Sequence, residues 1–170
     1  MTELTAVIDV ALLCATWGRV CPTAEDVARA AARLALSRGK AGSSIARQTA
    51  IEVAITLADD AVQKRLNRDW RGVDQPTNVL AFPAWDPEAP IPPGAPLLLG
   101  DVVLAFETVA READEQGKPL SDHLSHLIVH GVLHLLGYDH ATEAEAVAME
   151  SLETSILASL GVPDPYRGTM

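Results

Sequence analysis

Between His130 and His140 the chain reads His-Gly-Val-Leu-His-Leu-Leu-Gly-Tyr-Asp-His, and the spacing of its imidazoles restricts the local fold more than any other feature. On a helix, His130 and His134 leave one face about 40° apart and about 6 Å along the axis, which sets two ligands side by side. A third histidine one turn further along would lie too far away for metal–nitrogen distances of about 2.0 to 2.1 Å. The chain has to turn back, and Gly137 supplies the turn, because glycine accepts positive φ at a helix C′ position without a Cβ clash. Tyr138 and Asp139 then lead His140 over the helix end. A metal site at the end of a central helix is the expectation.

The rival stripe of His126, His130 and His134 spans about 12 Å of rise, more than one small ion bridges. His123 and His126 are read as partners behind the ligands, as residues at the rim of the site, or as satisfied, partly buried histidines. Apolar neighbours within the His130–His134 interval argue against a pair of merely exposed histidines.

The ligand spacing equals that of the long zinc-peptidase pattern His-Glu-x-x-His-x-x-Gly-x-x-His, with Gly131 at the glutamate position. That glutamate is the general base of those peptidases, so its loss disfavours peptide hydrolysis. The run instead closely resembles the signature of the YbeY family of bacterial metal-dependent endoribonucleases. Leu66-Asn67-Arg68-Asp69-Trp70-Arg71, followed by Pro76-Thr77-Asn78-Val79-Leu80-Ala81-Phe82-Pro83, is similar to that family's Asn-x-x-(aromatic)-Arg and Thr-(Asp/Asn)-Val-Leu-Ser-Phe-Pro blocks. Leu99-Gly100-Asp101 resembles a third block. The resemblance covers Ile51 to Tyr166 in family order, and Ala81 departs from it where serine is frequent. It implies an endoribonuclease of single-stranded RNA acting on rRNA precursors, including the 16S rRNA 3′ end, and in ribosome quality control. It further implies the ribosomal subunit or its proteins as partners, neither DNA nor a membrane, and Arg71 as the arginine of the substrate cleft.

At 170 residues, 48% of them hydrophobic, one substantial core and one domain over residues 1–170 are expected. The N-terminal stretch with Glu3 and Asp9 does not read as a secretory signal, and no segment is apolar for long enough to span a bilayer. Cys14 and Cys21 are too few for a disulfide framework, so free thiols in a reducing, cytoplasmic setting are expected. A formal net charge of −10 opposes a polyanionic partner at long range. Residues 29–71 nevertheless hold nine of the thirteen Lys and Arg against four acids. They form either a local phosphate-binding surface or an ordinary solvated face.

Period-two apolar patterning predicts strands over Thr2–Val10 and Gln48–Leu57, with two more over Val79–Phe82 and Asp101–Phe106. Helices are predicted from Thr23 to Gly39 and from Asp59 or Asp60 to Trp70. Val102–Gln116 is predicted to turn from strand into helix, Ser121 to cap the histidine helix, and Thr142 with Glu145 to form a capping box for a last helix ending at Gly161. Pro83, Pro87, Pro90, Pro92, Pro93 and Pro96 exclude regular structure from the Pro83–Leu97 loop, which either borders a substrate channel or is a tolerated insertion. The sum is an α+β fold, a small mixed four-stranded sheet packed with about five helices.

Three neutral histidines leave a coordination position open. One Zn²⁺ there is completed by water, whose pKa it lowers toward about 7, which makes hydrolysis the natural chemistry. Imidazoles also suit copper, nickel and iron. A fixed guanidinium stabilises a pentacoordinate phosphate, and Arg71 is the candidate, the alternative being a helix C-terminal arginine that offsets the macrodipole. Asp139 either takes a proton or orients an imidazole, or is simply a turn residue. Trp70 and Tyr138 are candidates for base stacking, with core packing the better reading for Trp70. A metallopeptidase-like hydrolase and a ribosome-assembly factor with a structural metal are the competing functions.

Overall fold

The computed structural model describes residues 5–40, 45, 50–86, 89, 92 and 95–166. In chain order the elements are β1 (Thr5–Leu12), α1 (Thr16–Val20), α2 (Ala24–Gly39), β2 (Ala50–Ala58), α3 (Asp60–Arg71), β3 (Val79–Pro83), β4 (Leu97–Ala105), α4 (Phe106–Glu115), α5 (Leu120–Leu135) and α6 (Glu143–Ser159). One mixed sheet in the order β1-β2-β4-β3 holds β1, β2 and β4 parallel, with β3 antiparallel to β4 at one edge. The α+β expectation holds, with six helices among the described residues rather than about five. The additional one, α1, is too short to show a helical period; it buries Trp17, whose indole N–H donates to Ala58 O at 2.8 Å.

Alternation in β2 divides the sheet into two faces. Ile51, Val53, Ile55 and Leu57 join the main core beneath α2 and α5, whereas Ala58, Leu80 and Val103 form a smaller cluster under Val62 and Leu66 of α3. In β4 the pattern changes phase: Glu52 pairs with Leu98 but Val53 with Gly100, so Leu99 is an extra residue. The buried set accordingly shifts from Leu97 and Leu99 to Val102 and Leu104. Gly100 makes this possible, at φ 143°, where an added Cβ would lie 2.2 Å from Phe82 O of the neighbouring strand. A bulge of this kind hides the start of a strand from period-two reading, which is why the predicted strand begins at Asp101 instead of Leu97. The predicted first two strands start at residues 2 and 48; positions 1–4 and 46–49 lie outside the described residues, and the strands observed begin at Thr5 and Ala50.

One predicted helix start is uncapped and one expected cap is absent. Thr23 precedes α2 without a side-chain cap bond, and Ser121 lies inside α5, whose N-cap is the extended Pro119. Proline suffices there, since its fixed φ leads into the helix and Asp122 N–H and His123 N–H both reach Pro119 O. By contrast, Asp59 Oδ1 accepts from Val62 N–H at 2.8 Å, and Thr142 Oγ1 accepts from Glu145 N–H at 3.1 Å, the Thr142 half of the expected capping box. The last helix stops at Ser159, two residues before Gly161 turns the chain at φ 78°. No helix among the described residues is long and apolar enough to cross a membrane.

Candidate metal centre

Helix α5 carries His130 and His134 along the sheet, and its closeness to the sheet depends on Gly131. A Cβ at that position would fall 2.8 Å from Val102 Cγ1 of β4 and 3.4 Å from Val79 Cγ2 of β3. The residue that is glutamate in zinc peptidases therefore faces the packed sheet here, and a side chain large enough to act as a base has no room. At the other end α5 closes with a paired-bond glycine turn. Gly137 N–H donates to His134 O and Tyr138 N–H to Leu133 O, both at 3.0 Å, with Gly137 at φ 105°. Tyr138 then anchors through its hydroxyl to Gly39 O at 2.9 Å, and the chain returns with His140 beside the helix.

This arrangement brings one ring nitrogen each of His130, His134 and His140 within 4.8 Å of one another. His130 Nε2 and His134 Nε2 are 3.0 Å apart, near the roughly 3.3 Å expected for two nitrogens of a tetrahedral set at about 2.05 Å from a metal. Burial pushes the His134 imidazolium below its ordinary pKa, aided by His130 and His140, so the ring is available as a neutral donor. The donor set fits a transition metal. Asp139 Oδ1 accepts from the backbone N–H of His140 at 2.8 Å and lies 3.6 Å from its ring Nδ1. His126 is not in the cluster.

The cluster opens into a cavity of about 710 Å³ between α5 and the edge strand β3, lined also by Asn78, Ala81, Asp139 and Tyr166. Arg71 lies on the same cavity wall from the far side of the sheet. It is the last residue of α3, so both readings of it have a structural counterpart. The guanidinium reaches around the sheet edge, donates to Ala81 O at 2.7 Å and sits 5.4 Å from the Phe82 ring centre. Neighbouring Trp70 is 75% exposed, which overturns the expectation that it packs in the core. The basic stretch does not make one surface, because Arg29, Arg33 and Arg38 ride on α2 while Lys64, Arg65, Arg68 and Arg71 ride on α3, over opposite faces of the sheet. In the proline-rich loop, Pro83 lines the cavity and Trp85 Nε1–H donates to Leu135 O at 2.7 Å, occupying a carbonyl at the end of α5. The loop start thus borders the histidine cavity; positions 87, 88, 90, 91, 93 and 94 lie outside the described residues.

Sequence reading missed Glu153. This carboxylate of α6 is fully buried, with Oε1 2.5 Å from His130 Nδ1 and Oε2 accepting from the Tyr166 hydroxyl and 3.4 Å from His126 Nε2. Burial opposes its charge, but hydrogen bonds from His126 and His130, the field of His130 and the Tyr166 hydroxyl outweigh that and hold its pKa at about 2. A signal was present: Glu153 interrupts the apolar stripe Met149, Leu152, Ile156, Leu157 of α6, and a charge on a buried stripe requires a partner. Behind it, His123 Nε2 meets Glu112 Oε1 at 2.8 Å, and Glu112 also accepts from Asn78 Nδ2 at 3.0 Å.

Residues 22–161 match the family model described as Endoribonuclease YbeY. The chain belongs to that family. A relative from Paramagnetospirillum magneticum named Endoribonuclease YbeY is 55% identical over 96% of this chain and 98% of its own. Others of that name, from Bradyrhizobium sp. and Rhodospirillum rubrum, are 55% and 50% identical over 85% and 88% of this chain and 83% and 76% of theirs. The solution structure of a Thermotoga maritima protein superposes with a TM-score of 0.53 over 95% of this chain and 99% of that one, at 19% identity, a likeness of fold.

Proposed function

We propose that this YbeY-family protein is a zinc-dependent, cytoplasmic endoribonuclease that cuts unpaired RNA during rRNA maturation, at the 16S 3′ end and in ribosome quality control, in contact with ribosomal components. The observation that carries the reading is one open cavity shared by three converging imidazoles and a guanidinium delivered from the other side of the sheet. His130, His134 and His140 would hold the ion. Zinc bound to such a set supplies Lewis acidity toward a phosphoryl oxygen and an attacking hydroxyl or water. Arg71, pinned by Ala81 O, keeps further N–H groups free to pair with nonbridging phosphate oxygens and to stabilise charge as the phosphorus becomes pentacoordinate. Asp139 holds His140 in place through its backbone N–H. The packing at Gly131 speaks against the metallopeptidase alternative, since it leaves no glutamate-like base on α5. Exposure of His140 on the open cavity speaks against a purely structural metal.

The test is elemental analysis of the purified protein together with cleavage of an unpaired oligoribonucleotide and of an unstructured peptide. Wild type should contain one zinc and cut the RNA alone. His134→Ala should lose metal and cleavage with the fold largely retained, and Arg71→Ala should keep the metal while losing about 10² to 10³ in kcat. Peptide cleavage without RNA cleavage would overturn the proposal.

A further inference from the structure

We infer that Glu153 is a positioning residue for the metal centre: its Oε1 fixes the ring of His130, and Tyr166 and His126 hold its Oε2, so that the segment ending in Tyr166 sets the geometry of a ligand on another helix. The inference rests on the metal reading above. A carboxylate accepts hydrogen bonds and does not donate them, so the 2.5 Å contact places the hydrogen of His130 on Nδ1 and leaves the Nε2 lone pair facing His134 Nε2 at 3.0 Å. That is the tautomer a ligand needs, and a carboxylate behind it makes the imidazole a better donor.

Three further observations distinguish this from ordinary packing. Glu153 is 0% exposed, yet among the described residues its ion pairs are with His126 and His130 alone, without lysine or arginine. Its charge is held by imidazoles and a hydroxyl instead of by a fixed cation, so its stabilisation is tied to His130, and the converging imidazoles lie directly beyond that ring. Both oxygens are occupied, so the carboxylate cannot rotate away from Nδ1 without breaking its contacts on the Oε2 side. Finally, the Oε2 partner Tyr166 lines the same cavity as the imidazoles and stands edge-on to His126, with ring centres 5.6 Å apart.

The experiment measures zinc affinity of the full chain by competition with a chromophoric chelator, alongside the thermal midpoint of the metal-free protein. Glu153→Gln, which keeps the shape, should raise the zinc dissociation constant about 10- to 100-fold in protein that remains folded at the assay temperature. Tyr166→Phe, which keeps the carboxylate but removes one of the two partners of Oε2, should raise it less, about 2- to 10-fold. A purely structural role would lower the thermal midpoint and leave zinc affinity of the folded molecules unchanged, and that result overturns the inference. If Glu153→Gln does not fold, Tyr166→Phe decides by the same criterion. Wild type that binds zinc but spares RNA refutes the nuclease reading and leaves this inference standing, whereas wild type that binds no zinc refutes both.

Discussion

Gly131 links the packing of the fold to the reaction it can support, and a double-mutant cycle with Val102 tests that link. Placing a methyl at residue 131 brings it to 2.8 Å from Val102 Cγ1, against a side chain with 0% exposure. Overpacking of this kind costs about 1 to 3 kcal/mol, while alanine in place of a helical glycine returns about 0.8 to 1 kcal/mol. Gly131→Ala should therefore destabilise by about 1 kcal/mol net, lowering Tm by roughly 2 to 4 °C for a chain of this size. Val102→Ala alone removes two buried methyls and should cost about 2 to 3 kcal/mol. In the double variant the collision disappears and the helix gain remains, so its cost should fall short of the sum by about 1 to 3 kcal/mol. Urea unfolding of the four proteins at constant m-value measures this directly. Additivity within about 0.5 kcal/mol would show that α5 does not rest on β4 through this glycine.

Other consequences can be checked separately. Arg71→Lys retains a charge but not a planar fork, so with zinc content unchanged kcat on unpaired RNA should fall at least about tenfold; full activity would remove the case for bidentate phosphate contact. Trp85→Phe leaves Leu135 O without its indole partner and should cost about 1 kcal/mol in urea unfolding, with no change expected if the loop start is undocked in solution. Burial holds the His123 imidazolium below its ordinary pKa against the opposing pull of Glu112, so the unfolded chain binds that proton more readily than the folded one. Stability should consequently decline as pH falls below about 6.5, and less steeply in His123→Gln; equal slopes in wild type and variant would refute the assignment. Arg71 is the one lysine or arginine among the described residues that lines the histidine cavity. Log affinity for single-stranded RNA should then fall with log salt at a slope of about −0.7 to −1.5, and a slope steeper than about −3 would mean that the cations of α2 or α3 also bind.

What could be read from the sequence was what depends on short spacing. His130, His134, Gly137 and His140 lie within three helical turns and a reversal, so their convergence follows from helix geometry and one permitted positive φ. The four strands were legible wherever alternation is unbroken, as in β2, and lost at the bulge where Leu99 shifts the phase. A cap was legible at Thr142, where the side chain itself accepts the bond, and at Asp59 as one of two adjacent candidate starts; it was misread at Ser121, because Pro119 begins the helix by conformation alone. Trp70 was misassigned for a related reason: its apolar bulk suggests the core, but its place beside the α3 terminus leaves it in solvent. Glu153 and Tyr166 escaped because their roles appear only once α5 and α6 pack, joining residues 23 positions apart in one contact.

The charge of the chain takes on a different meaning once the cavity is in view. A body of net charge −10 does not attract RNA from a distance, and the arginines that seemed to offset it are divided between the two faces of the sheet. On the proposed reading, recognition is short-ranged, through the metal ion that the imidazoles would hold and one arginine that arrives around the sheet edge. Glu153 would place a buried negative charge behind that ion, favouring retention of the metal more than attraction of the substrate. A site built this way would act on a phosphodiester already brought to it, as the proposed nuclease would if it works in contact with a larger ribonucleoprotein particle.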